Sequence, residues 1–180
     1  MSCAADSRSA PLRDRTRCNA RPIHASLRSA TGRGVTREYP DRPWIGIGMI
    51  VFRGEQVLLV QRGKPPRMGS WSLPGGAQHV GETTQAAARR ELLEETGITT
   101  GPLLLADVID SISHDEAGAV RYHYTIIDYC AEWAEGVAVA GDDVSDVAWA
   151  APDQLPEYAL TREALAVIAL SRKRLAENMV

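Results

Sequence analysis

The sequence predicts an α/β (α+β) domain in which a mixed sheet carries helices on its faces. Three observations predict this class: β-rich apolar runs dominate the chain, two segments have helical composition, and the element order is β-β-α-β-β-β-α. The 180 residues are enough for one well-packed domain and few for two. We find no internal repeat.

The first predicted strands form a hairpin. Residues 44–52 are apolar and β-rich, residues 53–56 have the composition of a turn, and residues 57–61 form the returning strand. After a loop rich in glycine and proline, residues 71–73 are a short predicted strand. The Pro-Gly-Gly sequence at residues 74–76 then predicts a break.

A helix is predicted over residues 83–96, which are rich in Ala, Leu, Glu and Arg and are followed by Gly97 as a C-terminal cap. Residues 103–113 and 120–133 are two long predicted strands joined by a turn. Residues 144–150 form a further short strand.

The chain closes with an amphipathic helix predicted over residues 160–178. Its apolar residues recur at helical spacing, so one stripe of the helix is expected to pack on the sheet. The predicted inner face consists of Ala164, Leu165, Ile168 and Leu175.

Residues 1–41 differ from the rest, which we assign as one domain over residues 42–180. The first 42 residues contain nine arginines and four acidic residues, with few large apolar side chains. Such a composition buries too little surface to offset its ordering entropy, so this basic leader is predicted to be disordered. Three explanations stay open, in order of preference: a start codon chosen too early, an organellar transit peptide, and an arm that contacts nucleic acid.

Overall charge and composition exclude several classes of protein. The net charge of −3 argues against non-specific binding to nucleic acid or to an anionic membrane. No run of apolar residues is long enough to span a bilayer. The three cysteines, Cys3, Cys18 and Cys130, show no metal-ligand spacing. A reduced, cytoplasmic chain is therefore predicted, with organellar targeting by the leader as the alternative.

Three carboxylates of the first predicted helix carry the chemistry. Glu91, Glu94 and Glu95 stand at positions i, i+3 and i+4, which places them on one helix face a turn apart. Such a cluster repels itself unless a cation lies among the carboxylates. Hard oxygen ligands suit Mg²⁺ or Mn²⁺, which also accept substrate phosphate oxygens. Arg90 can pair with one carboxylate and hold it in place, and the glycine at position 76 lets the backbone approach closely.

The same residues resemble a known family motif. The pattern Gly-x5-Glu-x7-Arg-Glu-Leu-x-Glu-Glu-x-Gly-Ile over residues 76–98 is similar to the Nudix box at every defined position. The predicted element order is also similar to the α/β/α sandwich of Nudix proteins. The resemblance therefore extends over the whole part of the chain that we expect to fold.

The resemblance implies a Mg²⁺- or Mn²⁺-dependent pyrophosphohydrolase. Glu94 and Glu95 match metal ligands of the family, and Glu91 matches a position that is a ligand in some members and a base in others. The carbonyl of Gly76 matches a backbone ligand. Arg90 matches the arginine that orients the glutamates. The supporting carboxylate of the family is matched by Glu82.

Family members need a further acid from a loop distant in sequence, as a base or an extra ligand. Asp143 is the first choice, followed by Asp142 and Asp146, and the hairpin acids Asp115 and Glu116 are the alternative. Each can instead be an ordinary turn-forming residue.

Two arginines are predicted to contact the substrate. Arg62 and Arg67 flank the loop before the box, where they can hold phosphates by bidentate hydrogen bonds. The alternative is that both arginines are ordinary charged residues of the surface without a role in binding. His79 lies within the box loop at a variable position and is predicted to face solvent.

The substrate is predicted to be a small nucleotide, by resemblance ADP-ribose or a related nucleoside-diphosphate derivative. A nucleoside-triphosphate pyrophosphohydrolase with a sanitising role is the first alternative. A non-catalytic Nudix ligand sensor is the second, although the chain keeps every glutamate of the box. A homodimer is suggested by analogy with the family alone.

Overall fold

The computed structural model describes residues 37–65 and 67–178. Most of the predicted leader therefore lies outside the described residues, and only residues 37–41 of it are described. The strands are Trp44–Arg53 (β1), Gln56–Arg62 (β2), Trp71–Ser72 (β3), Gly75–Ala77 (β4), Thr99–Thr100 (β5), Leu104–His114 (β6), Val120–Glu135 (β7) and Val144–Ala150 (β8). The helices are Thr84–Thr96 (α1) and Arg162–Asn178 (α2), with a 3-10 helix at Leu155–Tyr158.

The strands form one mixed sheet built around β1. On one side β1 runs parallel to β7, and every other pairing within the described residues is antiparallel. On its other side β1 pairs with β4 near its start and with β2 at its end. Farther out, β2 pairs with β3 and β8, while β7 pairs with β5 and β6.

Alternate side chains of β1 build two separate cores, one on each face of the sheet. Met49 and Val51 pack with Ala88 and Leu92 of α1, whereas Ile50 and Phe52 pack with side chains of α2. Each set is buried, as expected for a strand covered on both faces. The predicted α/β/α arrangement, with helices on both faces of a mixed sheet, is confirmed.

The prediction for the inner face of α2 was partly wrong. Ile168 and Leu175 are buried, but Leu165 is 40% exposed, and Val167 and Ser171 are buried in its place. Successive residues of a helix are separated by about 100° around its axis, so Leu165 lies at the margin of the stripe that contains the buried residues.

None of the helices in the described ranges is long and apolar enough to cross a membrane.

The break predicted at residues 74–76 is shorter than expected, because Pro74 lies between strands but Gly75 and Gly76 lie in one. Gly75 and Gly76 belong to β4 and pair with Gly48 and Ile47 of β1. Gly75 has φ +149, and a β-carbon there would lie 2.1 Å from the carbonyl oxygen of Ile47. The two backbones therefore approach more closely than side chains would allow, and glycine makes this strand possible rather than ending it. β5 and the 3-10 helix also escaped prediction, because both are very short.

Candidate active site

The helix that carries the three carboxylates begins and ends where its sequence signals predict. The side chain of Thr83 caps the N-terminus of α1 by accepting a hydrogen bond from the backbone N–H of Ala86 at 3.1 Å. At the other end Gly97 adopts φ 69, and its N–H donates to the carbonyl of Leu93 at 2.9 Å. Both ends of α1 are thus fixed by local hydrogen bonds, which sets the position of its acidic face.

Arg90 holds the acidic residues of this face together. Its guanidinium donates to Glu91 Oε1 at 2.8 Å and to Glu94 Oε2 at 3.0 Å. It also donates twice to the carboxylate of Glu82, at 2.8 and 3.2 Å, and to the carbonyl of Ala77 at 3.1 Å. One cation therefore contacts three carboxylates and β4, as the orienting role predicted for Arg90 requires.

The charges of this network reinforce one another. The hydrogen bonds from Arg90 lower the pKa of Glu82 from its ordinary value of 4.5 to about 2, and the backbone N–H of His79 contributes as a second donor. In turn, the bond to Glu82 is the main cause that raises the pKa of Arg90. Glu82 is thus a charged partner that fixes Arg90 from outside the helix.

Glu95 lies in a different environment from Glu91 and Glu94. Burial raises its pKa from 4.5 to about 7, and the negative charge of Glu91 adds to the effect. The backbone N–H of Gly75 donates to Glu95 Oε2 at 2.8 Å and partly offsets it. A half-buried carboxylate with a raised pKa beside another carboxylate marks a position where a cation would be stabilising.

The backbone of β4 lies directly against the carboxylate of Glu91. A β-carbon at Gly76 would be 2.3 Å from the Cδ atom of Glu91. The close approach predicted for this glycine is therefore present, and the backbone of Gly76 and the carboxylate of Glu91 line the same cavity.

That cavity has a volume of about 330 Å³ and collects most of the predicted site residues. Its walls combine the acidic face of α1 with the end of β2 and the loop before β8. Among the side chains and backbones that line it are Arg62, Gly75, Gly76, Arg90, Glu91, Glu94, Glu95, Asp142 and Asp143. Five acidic side chains and the predicted arginines Arg62 and Arg90 thus line one recess; carboxylates suit a divalent cation, and arginines suit phosphate oxygens.

Asp143 reaches this cavity from the loop before β8 and is held by the loop after β2. Its carboxylate forms an ion pair with the ammonium group of Lys64, and this hydrogen bond lowers the pKa of Asp143. Its carbonyl accepts a hydrogen bond from the N–H of Gly63 at 2.7 Å. Asp142 next to it adopts φ 44, a conformation that aspartate tolerates better than most residues.

Several predicted residues do not reach the cavity. Arg67 is exposed at the tip of the loop after β2, because the loop doubles back and the N–H of Gly69 donates to the carbonyl of Arg62 at 2.8 Å. Asp146 accepts a hydrogen bond from its neighbour Val147 and lies outside the lining. The hairpin acids Asp115 and Glu116 also lie outside it.

Two basic side chains of the lining, those of Arg37 and His79, were not selected as ligands by the sequence analysis. Arg37 comes from the part of the leader that the structure describes, where composition alone gives no sign of a site. His79 is exposed, as predicted, yet it also lines the cavity. The signal for Arg37 was absent from its local sequence, since its position depends on contacts with distant residues.

The donor set fits a divalent metal ion by chemistry. Glu91, Glu94 and Glu95 offer hard carboxylate oxygens beside an open recess, as Mg²⁺ and Mn²⁺ prefer. In the described ranges no three carboxylate, imidazole or thiolate groups converge on one point. Instead Arg90 engages Glu91 and Glu94, and Gly75 engages Glu95.

Comparisons with known proteins match this architecture. A family model described as the NUDIX domain matches residues 42–170. The chain is 31% identical over 121 residues to the ADP-ribose pyrophosphatase of Methanocaldococcus jannaschii, covering 67% of this chain and 69% of that protein. It is 47% identical over 58 residues to the putative 8-oxo-dGTP diphosphatase 2 of Mycobacterium tuberculosis, covering 32% of this chain and only 41% of that relative.

Solved structures agree with the fold. The MutT NUDIX hydrolase from Burkholderia pseudomallei superposes with a TM-score of 0.63 at 30% identity, covering 72% of this chain and 98% of that chain. The NUDIX domain of Shewanella oneidensis NrtR, solved in complex with ADP ribose, superposes with a TM-score of 0.63 at 25% identity, covering 74% of this chain and 89% of that chain.

Proposed function

The chain belongs to the Nudix family and is a hydrolase acting on pyrophosphate bonds, and from that premise we propose that its substrate is ADP-ribose or a related nucleoside-diphosphate derivative. The observation that carries the proposal is the cavity, whose lining joins the three carboxylates of α1 with the guanidinium of Arg62. Two comparisons support the substrate. A relative that covers two thirds of this chain is an ADP-ribose pyrophosphatase, and a similar NUDIX domain binds ADP ribose.

We further propose that Glu91, Glu94 and Glu95, with the carbonyl of Gly76, hold Mg²⁺ or Mn²⁺. When bound, such an ion polarises phosphoryl oxygens and lowers the pKa of the attacking water. Glu94 is suited to take part because its side chain is 48% exposed and can turn without disturbing the core. The Arg90–Glu82 pair then keeps the guanidinium in place while Glu94 moves.

The reaction that these residues serve is attack of water on one phosphorus of the diphosphate. A new P–O bond forms, the bridging P–O bond breaks, and the leaving oxygen departs with the other phosphate as a nucleoside monophosphate is released. We assign Asp143 as the base that takes the proton from water, because it lines the same cavity as the proposed metal ligands. Arg62 holds the phosphate oxygens by paired hydrogen bonds.

A nucleoside-triphosphate pyrophosphohydrolase is the second candidate. It is favoured by the 47% identity to a putative 8-oxo-dGTP diphosphatase, although that match covers 32% of this chain. A non-catalytic sensor is disfavoured because all three glutamates are retained and line the same cavity.

The test is a substrate screen of the purified full chain with Mg²⁺ and with Mn²⁺. ADP-ribose, 8-oxo-dGTP and dGTP are compared by the phosphate released after coupling to a phosphatase. We expect kcat/KM for ADP-ribose to exceed that for either triphosphate by about tenfold or more, a difference of about 1.4 kcal/mol in transition-state binding. A preference for a triphosphate would establish the second candidate, and no hydrolysis by the metal-loaded protein would reject both.

A further inference from the structure

Three arginines line the cavity within the described ranges, and they are not equivalent. Arg90 is engaged by three glutamates, which leaves little of its charge for an anion. Arg37 and Arg62 line the same cavity, and neither forms an ion pair with a carboxylate of the described residues. We propose that Arg37, from the segment that precedes β1, binds the phosphates of the substrate together with Arg62. This inference rests on the proposed function and adds a second cation to it.

A further arginine favours the entry of a diphosphate, because acidic side chains outnumber arginines in the lining of the cavity. Five acidic side chains line it, on α1 and on the loop before β8: Glu91, Glu94, Glu95, Asp142 and Asp143. A diphosphate that enters is repelled by these carboxylates unless positive groups lie opposite them. Arg37 and Arg62 supply that charge in a form that pairs with phosphate oxygens by two parallel hydrogen bonds.

The segment that carries Arg37 is fastened to the hairpin of β6 and β7. Arg121 donates from its Nε atom to Glu38 Oε1 at 2.7 Å, and its carbonyl accepts from the N–H of Tyr39 at 2.8 Å. The hydroxyl of Tyr39 donates to Asp115 Oδ2 at 3.0 Å. Three hydrogen bonds therefore hold the two residues that follow Arg37.

The partner of Tyr39 in the hairpin is itself well held. Asp115 Oδ1 accepts from the N–H groups of Ala117 and Ala119, at 3.0 and 2.9 Å, so its carboxylate is part of the turn. These bonds and the Tyr39 hydroxyl lower the pKa of Asp115, which keeps it a charged acceptor. Tyr39 adopts φ 52, a conformation that large residues rarely take without such support.

Arg37 also lies beside an aromatic ring, that of Trp44 in β1. The guanidinium carbon lies 6.0 Å from the centroid of the Trp44 ring. This cation–π contact draws on the charge of the guanidinium rather than on its N–H groups, so these groups can still donate to an anion. The structure therefore presents Arg37 as a positioned cation at one wall of the cavity.

The test compares four variants of the full chain with the wild type, using ADP-ribose and Mg²⁺. Arg37→Gln should raise KM about tenfold or more with kcat nearly unchanged, because a charge-assisted hydrogen bond to the phosphates is lost. Arg37→Lys keeps the positive charge but lacks the paired N–H donors of a guanidinium. It should therefore raise KM by less than Arg37→Gln does. Tyr39→Phe should raise KM in the same direction, since it removes the bond to Asp115. Arg42→Gln is the matched control, an exposed arginine of the same segment outside the cavity lining.

Calorimetric titration of each protein with ADP-ribose and with inorganic pyrophosphate separates this inference from the proposed function. If the wild type binds either ligand without hydrolysing ADP-ribose, the proposed substrate is wrong while weaker binding by Arg37→Gln still supports the inference. Equal KM values and equal affinities for Arg37→Gln and Arg42→Gln would overturn it. A fall in kcat alone would also overturn it, because a binding residue changes KM.

Discussion

The carboxylate of Glu91 lies against the bare backbone of Gly76, so close that a β-carbon on Gly76 would be 2.3 Å from Glu91 Cδ. This contact joins β4 to the acidic face of α1. Glu91 is at the same time held by Arg90, at 2.8 Å. Two contacts therefore position the Glu91 side chain. On one side it packs against the backbone of Gly76, and on the other it accepts a hydrogen bond from Arg90.

Gly76→Ala should lower turnover strongly and stability only slightly. The added methyl group would collide with the end of a flexible side chain, so Glu91 would move while the fold remains. We expect kcat to fall by about a hundredfold, with a change in Tm of only a few degrees. Gly101→Ala is the control, because among the described residues no heavy atom beyond its chain neighbours lies within 4 Å of the position of its β-carbon. Equal kcat values for the two variants would contradict the contact.

Replacing the proposed metal ligands should abolish most of the activity without unfolding the protein. Glu94→Gln and Glu95→Gln keep the size of the side chain and remove its charge, so each should lower kcat by about a hundredfold or more. Circular dichroism should show an intact fold. Glu177→Gln, on the exposed side of α2, should behave as the wild type. Undiminished turnover in a metal-replete Glu94→Gln/Glu95→Gln double variant would rule out the assignment of these ligands.

The assignment of the base is tested by a pair of aspartates from the same region. Asp143→Asn should lower kcat by about a hundredfold, the effect of losing a general base. Asp146→Asn should leave kcat unchanged, since Asp146 lies outside the cavity. Lys64→Met, measured beside them, reports on the ion pair alone. A normal kcat for Asp143→Asn would show that Asp143 is not the base. Glu91 would then be the first acid to test in that role.

A buried acid on β7 should make stability depend on pH. Asp128 of β7 is 4% exposed and pairs across the sheet with Asp107. Burial, with a smaller contribution from Asp107, raises its pKa from 3.8 to about 6. The folded chain therefore keeps this proton at pH values where the unfolded chain has lost it, so stability falls as pH rises from about 4 to about 6 and then levels.

Asp128→Asn should remove that fall. Above pH 6 the variant should be more stable than the wild type by on the order of 2 kcal/mol, and below pH 4 the two should agree. Urea denaturation at a series of pH values measures the difference. Asp107→Asn should also make the fall in stability between pH 4 and pH 6 smaller, but by less than Asp128→Asn does. Parallel stability curves for wild type and Asp128→Asn across this range would show that Asp128 is charged throughout.

The elements whose signals are local could be predicted from the sequence. α1 was predicted because Thr83 and Gly97 mark its ends and the glutamate spacing fixes its face. The strand β4 was not, because Gly75 and Gly76 disfavour a strand in isolation and form one only where β1 lies beside them. Pairing between distant strands outweighs local preference at this position.

The same distinction applies to the cations of the site. Arg62 ends a strand next to the box, and its place at the cavity follows from that position. Arg67, five residues further along, lies outside the cavity because its loop folds back on itself. Arg37 is in the cavity because Tyr39 bonds to Asp115, 76 residues along the chain. The cytoplasmic location and the homodimer stay predictions.

The two bonds to Asp143 couple the loop after β2 to the loop before β8. Gly63 donates to its carbonyl at 2.7 Å, and Lys64 meets its carboxylate. Neither loop can therefore be redesigned by itself. An engineer who grafts one of them from a relative to broaden the range of accepted nucleotides would have to transplant both, or the mouth of the recess would lose its shape.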